Sequence, residues 1–217
     1  MVKEIESRHS VRVYQKREVE AEVVKQLKNE CERCNKEGKL NIQIVLNESK
    51  AFSGFFVTFG RFKNVMNYFA LVGEDDETLD ERAGYYGEQL VLYAQKLGLN
   101  TCWVSGSFNK KKNGVKLGKN QRLVCLIAFG YGETQGRPHK SKPIEELYQA
   151  DIPVPDWFQQ GMKAAALAPT AMNKQNFCIA LKNDKVTVES TVKPNGMIDV
   201  GIVKCNFELG SGKKIVG

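Results

Sequence analysis

Two arginines and a serine alternate along the N-terminal segment "SRHSVRVY". Arg8, Ser10 and Arg12 occupy every second position, so in an extended backbone their side chains project to the same side. Two guanidinium groups with a hydroxyl between them suit a phosphate group and a polyol chain. An exposed basic N-terminus without a ligand is the alternative interpretation of the same residues.

Two further clusters of basic residues are "NKKKNG" at residues 109–114 and "RPHKSK" at residues 137–142. The chain has 32 Lys and Arg against 25 Asp and Glu, a formal charge of +7. Elsewhere basic and acidic residues are interspersed, and no motif places aromatic residues among basic ones, which argues against a nucleic-acid partner. Such local clusters are better suited to binding a phosphate group on a small molecule.

The cysteines include one C-x-x-C pair, Cys31 and Cys34. A zinc site requires four ligands, but there is no second C-x-x-C and the chain has only 2 His, so no metal is expected. Val24, Leu27, Cys31 and Cys34 follow helical spacing and lie on one face. Buried core thiols are therefore favoured over metal binding or redox chemistry.

Two loops carry hydrogen-bonding groups without a diagnostic pattern. "APTAMNKQ" at residues 168–175 offers Thr170, Asn173 and Gln175, and "NTCWVSGSF" at residues 100–108 predicts a Gly-containing turn. The phosphate-loop, dinucleotide-binding, H-E-x-x-H and G-x-S-x-G motifs are all missing from the sequence. Most hydrolase, kinase and Rossmann chemistries are therefore unsupported.

The composition predicts an ordinary globular chain: 217 residues, 42% hydrophobic and 26% charged. No stretch approaches the roughly 18 consecutive apolar residues of a membrane span, and the N-terminus lacks the apolar region of a signal peptide. A cytoplasmic protein without membrane attachment is expected.

The hydrophobic periodicity predicts alternating helices and strands. Helices are predicted at residues 20–35, 77–97, 156–168 and 198–212. Strands are predicted at residues 41–46, 68–73, 122–130, 176–181 and 185–190. Asp156 is predicted to cap its helix with Gln159 three residues later.

Two details of this pattern predict packing. Gly84 and Gly87 lie inside the helix at 77–97, where each costs about 1 kcal/mol relative to Ala, so they are expected to allow close approach of another helix. The strand at 122–130 is a continuous apolar run and is expected to be central and buried on both faces.

The two halves of the sequence resemble each other. A helix ending in "CNKEGKLNIQIVLNESK" in the first half matches "MNKQNFCIALKNDK" in the second, each with Asn-Lys, a strand, an acid and a Lys. Chance similarity of two helix-strand units is the alternative. We predict one α+β unit over residues 1–217, with a first lobe at 1–150 and a shorter second lobe at 151–217.

Together these segments resemble the FMN-dependent nitroreductase family, in particular its single-chain, two-lobed branch. The matching segments are "SRHSVRVY", "LVLYAQKLGLNTCWVSGSF", "LIAFGYGE" with "RPHKSKPIEEL", and "AAALAPTAMNKQNF". The resemblance covers nearly the whole chain. It implies a mixed, mainly antiparallel sheet flanked by helices and FMN as the cofactor.

This chain departs from the family in the position of the Ala-Pro-Ser loop. In most members that loop follows the first helix, whereas here it lies in the second half, with Thr170 in place of the Ser and Asn176-Phe177 in place of Pro-Trp. Ordinary members are homodimers with the flavin at the subunit interface. The resemblance therefore implies an internal pseudo-dimer of monomer size, with one FMN per chain.

The resemblance also implies which residues hold FMN. Those for the phosphate and ribityl chain are Arg8, His9, Ser10 and Arg12, joined by Arg137, Lys140 or Lys142. Those for the isoalloxazine are Pro169, Thr170, Ala171 and Asn173, with backbone groups of Val104, Ser105 and Gly106 at the N5 edge. Arg61 or Lys63 would supply the cation near N1 that favours hydride acceptance.

The implied activity is hydride transfer from NADH or NADPH, through the flavin, to a small electrophile such as a nitroaromatic or a quinone. Because the flavin performs the chemistry, no catalytic side chain is expected. The alternative is a flavin-binding protein without efficient reductase activity, such as a store, sensor or destructase. In that case Phe52, Phe55, Phe56 or Phe59 would cover the flavin face.

Overall fold

The computed structural model describes residues 2–53, 61–138, 140–183, 185–192 and 196–215. Phe55, Phe56 and Phe59 lie outside the described residues. The helices are α1 (Val2–Ser7), α2 (Ala21–Gly38), α3 (Leu79–Lys96), α4 (Asp156–Ala165) and α5 (Met197–Ser211). The strands are β1 (Gln43–Val45), β2 (Asn67–Glu74), β3 (Asn100–Val104), β4 (Gln121–Gly130), β5 (Tyr148–Ala150), β6 (Phe177–Lys182) and β7 (Lys185–Ser190).

The chain divides into two compact units. The first, the terminal unit, comprises Met1–Ser7, Asp80–Gln89 and His139–Gly217, and the second, the central unit, comprises Arg8–Leu79 and Leu90–Pro138. Both combine helices with mainly antiparallel strands, so the predicted α+β class is confirmed. The related lobes at 1–150 and 151–217 stay a prediction.

The central unit contains a four-stranded antiparallel sheet in the order β1-β2-β4-β3. The predicted central position of β4 is confirmed, because it pairs with β2 on one side and β3 on the other. Its second half is buried, and Phe129 stacks on Phe69 with ring centroids 4.5 Å apart. This stacking helps to hold the register in which Phe69 is opposite Ile127.

Helix α2 also belongs to the central unit and buries Leu27, Cys31 and Cys34 on one face, which confirms the predicted core thiols. Burial raises the pKa of Cys31 and of Cys34 to about 12, so both remain protonated thiols at neutral pH. The Asn35 side chain joins α2 to the residue that precedes β1. Its amide donates to the Ile42 carbonyl at 3.0 Å and its oxygen accepts the Ile42 N–H at 2.6 Å.

Residues 100–108 were predicted to offer a Gly-containing turn, and the structure adds a strand before it that was not predicted. Asn100–Val104 is strand β3, with Cys102 opposite Ala128 in β4. The strand is short and begins two residues after Gly98, so local patterning resembles a loop. Its hydrogen-bond partner β4 decides the conformation, and this partner is distant in sequence.

The terminal unit has a three-stranded sheet in the order β5-β6-β7, with β5 parallel to β6 and β6 antiparallel to β7. Helix α4 packs on α5, where Phe158 contacts Phe207 with ring centroids 5.4 Å apart. The predicted capping by Asp156 was wrong, because the N-cap residue is Pro155. The carbonyl of Pro155 accepts the N–H of Phe158 and of Gln159, and Asp156 is the first helical residue.

Two glycines in the terminal unit bring α3 and α5 into backbone contact. A Cβ added at Gly84 would lie 2.1 Å from the Ile198 carbonyl oxygen, and one at Gly201 would lie 2.0 Å from the Glu81 carbonyl oxygen. The predicted close approach of another helix at Gly84 is confirmed. Lys204 and Glu81 form an ion pair of 2.6 Å beside this contact.

Of the helices that the structure describes, none has both the length and the apolar character that crossing a membrane requires.

Candidate functional site

The N-terminal basic motif lies in an extended segment of the central unit. Ser10 forms a parallel bridge with Thr101 of β3, and the Val11 N–H donates to the Thr101 carbonyl at 3.0 Å. Two residues further on, the Lys63 N–H donates to the Arg12 carbonyl at 2.9 Å. Because backbone bonds hold the segment extended here, successive side chains project to opposite sides.

The residues of the motif influence one buried thiol, that of Cys102 in β3. Burial raises the pKa of Cys102, whereas Arg12, a hydrogen bond from Ser10 and Arg8 each lower it. Cys102 is 2% exposed, so little solvent screens its thiol from these charges. Arg8, Ser10 and Arg12 therefore all act on the same buried group.

Arg8 is unusual because a charged group is buried without full compensation. The residue is only 4% exposed, and its Nε is buried with no hydrogen-bond partner in the described part of the chain. An unsatisfied buried donor costs on the order of 1–3 kcal/mol, and more when it is charged. An anion such as a phosphate would satisfy this donor, so the residues present fit the phosphate end of FMN.

The segment after β4 lies against the other edge of the motif. The Gln15 N–H donates to the Tyr131 carbonyl at 2.8 Å, and the Glu133 N–H donates to the Val13 carbonyl at 3.0 Å. His9 Nδ1 lies 3.1 Å from the carbonyl oxygen of Gln135.

Gly136 allows this close approach. It has a φ of +75°, and a Cβ there would lie 2.8 Å from the His9 Cβ. Arg137 follows directly and is exposed, so the structure brings its backbone to the predicted phosphate residues while its side chain faces solvent.

The candidate N1 cations differ in their backbone environment. Lys63 is paired to the motif, since the Tyr14 N–H donates to the Lys63 carbonyl at 3.1 Å. Arg61 has a left-handed φ of 55°. Both side chains are exposed, but Lys63 is the one whose backbone is joined to Arg12 and Tyr14.

The predicted N5-edge residues lie at the end of β3. Val104 is 3% exposed and pairs with Leu126, whereas Ser105 and Gly106 are exposed where the strand ends. The backbone groups of Ser105 and Gly106 therefore come directly after β3, the strand that carries Cys102 and is bridged to Ser10. The central unit thus contains ten of the predicted residues: Arg8, His9, Ser10, Arg12, Arg61, Lys63, Val104, Ser105, Gly106 and Arg137.

The other predicted residues belong to the terminal unit, where the loop after α4 is held by side-chain hydrogen bonds. Thr170 is 7% exposed, and its hydroxyl accepts the Gln175 N–H at 3.0 Å. The Gln175 amide donates in turn to the Ala166 carbonyl at 2.8 Å. Both side chains therefore close the loop on itself, and Pro169 is half-buried where the loop leaves the helix.

A carboxylate on α5 holds the exposed end of the same loop. Both Asp199 oxygens lie 3.0 Å from the Ala171 N–H. Burial raises the pKa of Asp199, and the bond from Ala171 opposes the shift. Asp199 is thus a positioning group that the sequence analysis missed.

The loop backbone is strained between these anchors. Met172, Asn173 and Gln175 have φ values of 50°, 55° and 47°, a region in which residues other than glycine are disfavoured. Such strain persists only where the surroundings impose it, and it is frequent at ligand sites. Met172 is also 82% exposed, so burial of its side chain does not offset the strain.

The basic segment at residues 140–142 contacts this loop. The Lys142 N–H donates to Gln175 Oε1 at 2.6 Å, and its ammonium donates to the Gln175 carbonyl at 3.3 Å. Asn173 donates to the Lys140 carbonyl at 2.9 Å. The amide predicted to reach the isoalloxazine is therefore engaged with the backbone of Lys140, whose side chain is exposed.

Within the described ranges, no group of three or more His, Cys, Asp or Glu side chains could hold a metal ion. The polar groups that converge are instead cations, hydroxyls and backbone amides. Such a set binds and polarises an anionic ligand but supplies no nucleophile. Cys102 was missed because a single cysteine in an apolar strand carries no sequence signal.

One family matches this chain over nearly its whole length. The family described as "Putative TM nitroreductase" matches residues 1–211. None of the curated proteins matches significantly.

Several solved structures share the fold. One from Thermotoga maritima, described as a "putative nitroreductase", is 22% identical, with a TM-score of 0.69 over 96% of this chain and 82% of that one. An "FMN-dependent Nitroreductase" from Clostridium difficile is 18% identical, with a TM-score of 0.50 over 68% and 94% of the two chains. A "Putative NADH dehydrogenase/NAD(P)H nitroreductase" from Bacteroides thetaiotaomicron is 20% identical, with a TM-score of 0.53 over 67% and 94%.

Proposed function

Because this chain belongs to the nitroreductase family that matches residues 1–211, we propose that it is an FMN-dependent oxidoreductase. Its proposed electron donor is NADH or NADPH, and its proposed acceptor is a nitroaromatic, a quinone or a similar small electrophile. The solved structure named as FMN-dependent supports the cofactor by similarity of fold. The proposed form of the chain is a single-chain pseudo-dimer.

The observation that carries this proposal is the buried Arg8 with its unpaired Nε. A protein tolerates such a group when a ligand compensates it. Ser10 and Arg12 follow Arg8 at alternate positions, so a phosphate bound to Arg8 would also meet a hydroxyl and a second guanidinium. Charge-assisted hydrogen bonds of this kind are roughly twice as strong as neutral ones.

The chain's residues have separate proposed tasks. Arg8 and Arg12 would bind the phosphate, Ser10 the ribityl chain, and the exposed backbone of Ser105 and Gly106 the N5 edge. Lys63 would place a positive charge near N1. The bound flavin supplies the hydride chemistry.

The proposed contribution of the loop at residues 169–173 to FMN binding is based on the family resemblance. Its strained backbone, with left-handed Met172 and Asn173, supports a binding role. Thr170 and Asp199 would act by holding the loop in shape, because each already accepts a backbone N–H within the terminal unit.

The absorbance spectrum of the purified chain tests the cofactor, and anaerobic stopped-flow mixing with NADH or NADPH tests the activity. We expect a yellow protein with one FMN per chain, and bleaching of the flavin band by a nicotinamide. A yellow protein that neither nucleotide bleaches would be a flavin store or sensor, and the reductase proposal would fail. Two FMN per chain would contradict the pseudo-dimer.

Arg8→Gln tests the observation that carries the proposal. We expect FMN to dissociate about ten- to hundredfold more readily, as for loss of a charge-assisted bond. Lys16→Gln is the matched control, because it removes one positive charge from an exposed residue of the same N-terminal segment. Equal FMN affinity in the Arg8→Gln variant and the unchanged chain would remove the proposed phosphate site.

A further inference from the structure

The basic segment "NKKKNG" has no part in the proposed flavin site, yet the structure places it at a cleft of the central unit. The cleft has a volume of about 620 Å³, within the range of small-molecule sites. Its lining residues are Asn47, Glu48, Ser49, Lys50, Lys112, Asn113 and Gly114.

The basic wall of this cleft has a defined shape. Asn109 Oδ1 accepts the N–H of Lys111 and of Lys112, each at 3.0 Å. The Asn113 amide donates to the Lys110 carbonyl at 2.9 Å. The turn is therefore closed by its own asparagines, which keeps the three consecutive lysines on a preformed scaffold.

The opposite wall is joined to this turn through a buried phenol. Tyr68 is fully buried, and its hydroxyl donates to Glu48 at 2.8 Å while accepting the Gly114 N–H at 3.0 Å. Glu48 also accepts the N–H of Lys50 and of Ala51. The two walls are thus linked by hydrogen bonds, so little ordering would be required when a ligand binds.

The cleft and the adjoining turn together carry a net positive charge. Lys50, Lys110, Lys111 and Lys112 form no ion pair with any residue that the structure describes. Glu48 is the one carboxylate in the lining, and its two oxygens already accept hydrogen bonds from Tyr68 and the backbone. The two cations of the lining, with Lys110 and Lys111 on the adjoining turn, outnumber this carboxylate and favour an anionic ligand.

We propose that this cleft binds a small molecule through its diphosphate group. Lys50 and Lys112 would approach the diphosphate from the two walls. Asn47 and Ser49 would offer hydrogen bonds to hydroxyl groups of the same ligand. The site does not depend on the flavin, and its ligand is separate from the phosphate at Arg8.

ADP is the probe, titrated into the FMN-saturated chain, or into the chain as purified if it binds no FMN. Amide NMR shifts report the location, and calorimetry reports the affinity. We expect the largest shifts at Lys112, Asn113 and Gly114, with those of Ser10 and Thr101 unchanged. Pyrophosphate should compete with ADP, and adenosine should bind at least tenfold more weakly.

The double variant Lys50→Gln, Lys112→Gln should weaken ADP binding at least tenfold. The double variant Lys16→Gln, Lys119→Gln removes the same charge from exposed residues outside the lining and should leave the affinity within twofold. Equal weakening by both double variants would reduce the effect to net charge and overturn the site. The site is likewise overturned if ADP shifts only Ser10 and Thr101, if adenosine binds as tightly as ADP, or if single-stranded DNA binds with length-dependent affinity.

Discussion

The segment Arg8–Tyr14 and the loop at residues 169–175 reach their shapes by different means. The first is extended and held by backbone hydrogen bonds to Thr101 and Lys63. The second has left-handed residues and is held by the side chains of Thr170 and Asp199. Strand-like pairing leaves alternate side chains free for a ligand, whereas a side-chain-anchored loop uses its polar groups to keep its own shape.

The free-energy cost of the folded conformation also has a different origin in each region. In the first, the cost is electrostatic, because Arg8 is buried with an unpaired Nε. In the second, the cost is conformational, because Met172 has a φ of 50°. An anionic ligand can cancel an electrostatic cost directly, whereas backbone strain remains whether or not a ligand is bound. Substitutions in the two regions should therefore affect stability and FMN affinity in different ways.

The largest difference is expected for Arg8→Met. The FMN-free chain should become more stable by about 1–3 kcal/mol, because an unsatisfied buried cation is removed, while FMN affinity falls. Urea unfolding of the FMN-free chain and an FMN titration measure the two effects. A variant that loses stability and affinity together would show that Arg8 is structural, like Thr170.

Asp199→Ala removes the acceptor of the Ala171 N–H. The loop should loosen at a cost of about 1–2 kcal/mol in the free energy of unfolding. FMN affinity should fall about tenfold, the equivalent of some 1.4 kcal/mol. Asp199→Asn keeps an acceptor oxygen and should retain most of the affinity. Equal affinity in all three chains would separate the loop from FMN binding.

Asp199 also gives the terminal unit a pH dependence of known sign. Burial raises its pKa in the folded chain above the ordinary value of 3.8. Between the ordinary pKa and the raised pKa, the folded chain therefore binds more protons than the unfolded chain. The free energy of unfolding should therefore fall as the pH rises through this window. Asp199→Asn should remove that part of the slope in urea titrations, and an unchanged slope would contradict the assignment.

Thr170→Val leaves the buried Gln175 N–H without its acceptor. We expect a loss of about 1 kcal/mol in the free energy of unfolding, whereas Thr170→Ser keeps the hydroxyl and should lose less. Thermal unfolding of the two variants provides the comparison. A smaller loss for valine than for serine would show that Thr170 stabilises the chain through packing and not through its hydrogen bond.

The smallest effect is expected for Met172→Gly. Glycine adopts positive φ without steric cost, and Met172 is 82% exposed, so little packing is lost. Relief of strain should outweigh the flexibility of the unfolded chain and stabilise the protein by up to about 1 kcal/mol. Denaturant unfolding measures this gain, and a destabilised variant would mean that the side chain makes contacts essential to the loop.

The local patterns that predicted the fold correctly are those with a period matched to their element. The apolar run in β4 and the cysteine face of α2 are examples, since each periodicity follows from backbone geometry alone. The misplaced elements depended on distant partners or on backbone preference. Strand β3 is stabilised by β4, and Pro155 is the N-cap of α4 in place of Asp156.

The sequence by itself determined the residue types that can bind an anion, because the spacing of charges along a segment is a local property. It also determined the buried face of each long helix and strand. Only the tertiary structure decided that Arg8 is buried, that Asp199 holds Ala171, and that Lys50 and Lys112 line one cleft. Burial and contact depend on segments far apart in the chain, and no local pattern records which of them meet.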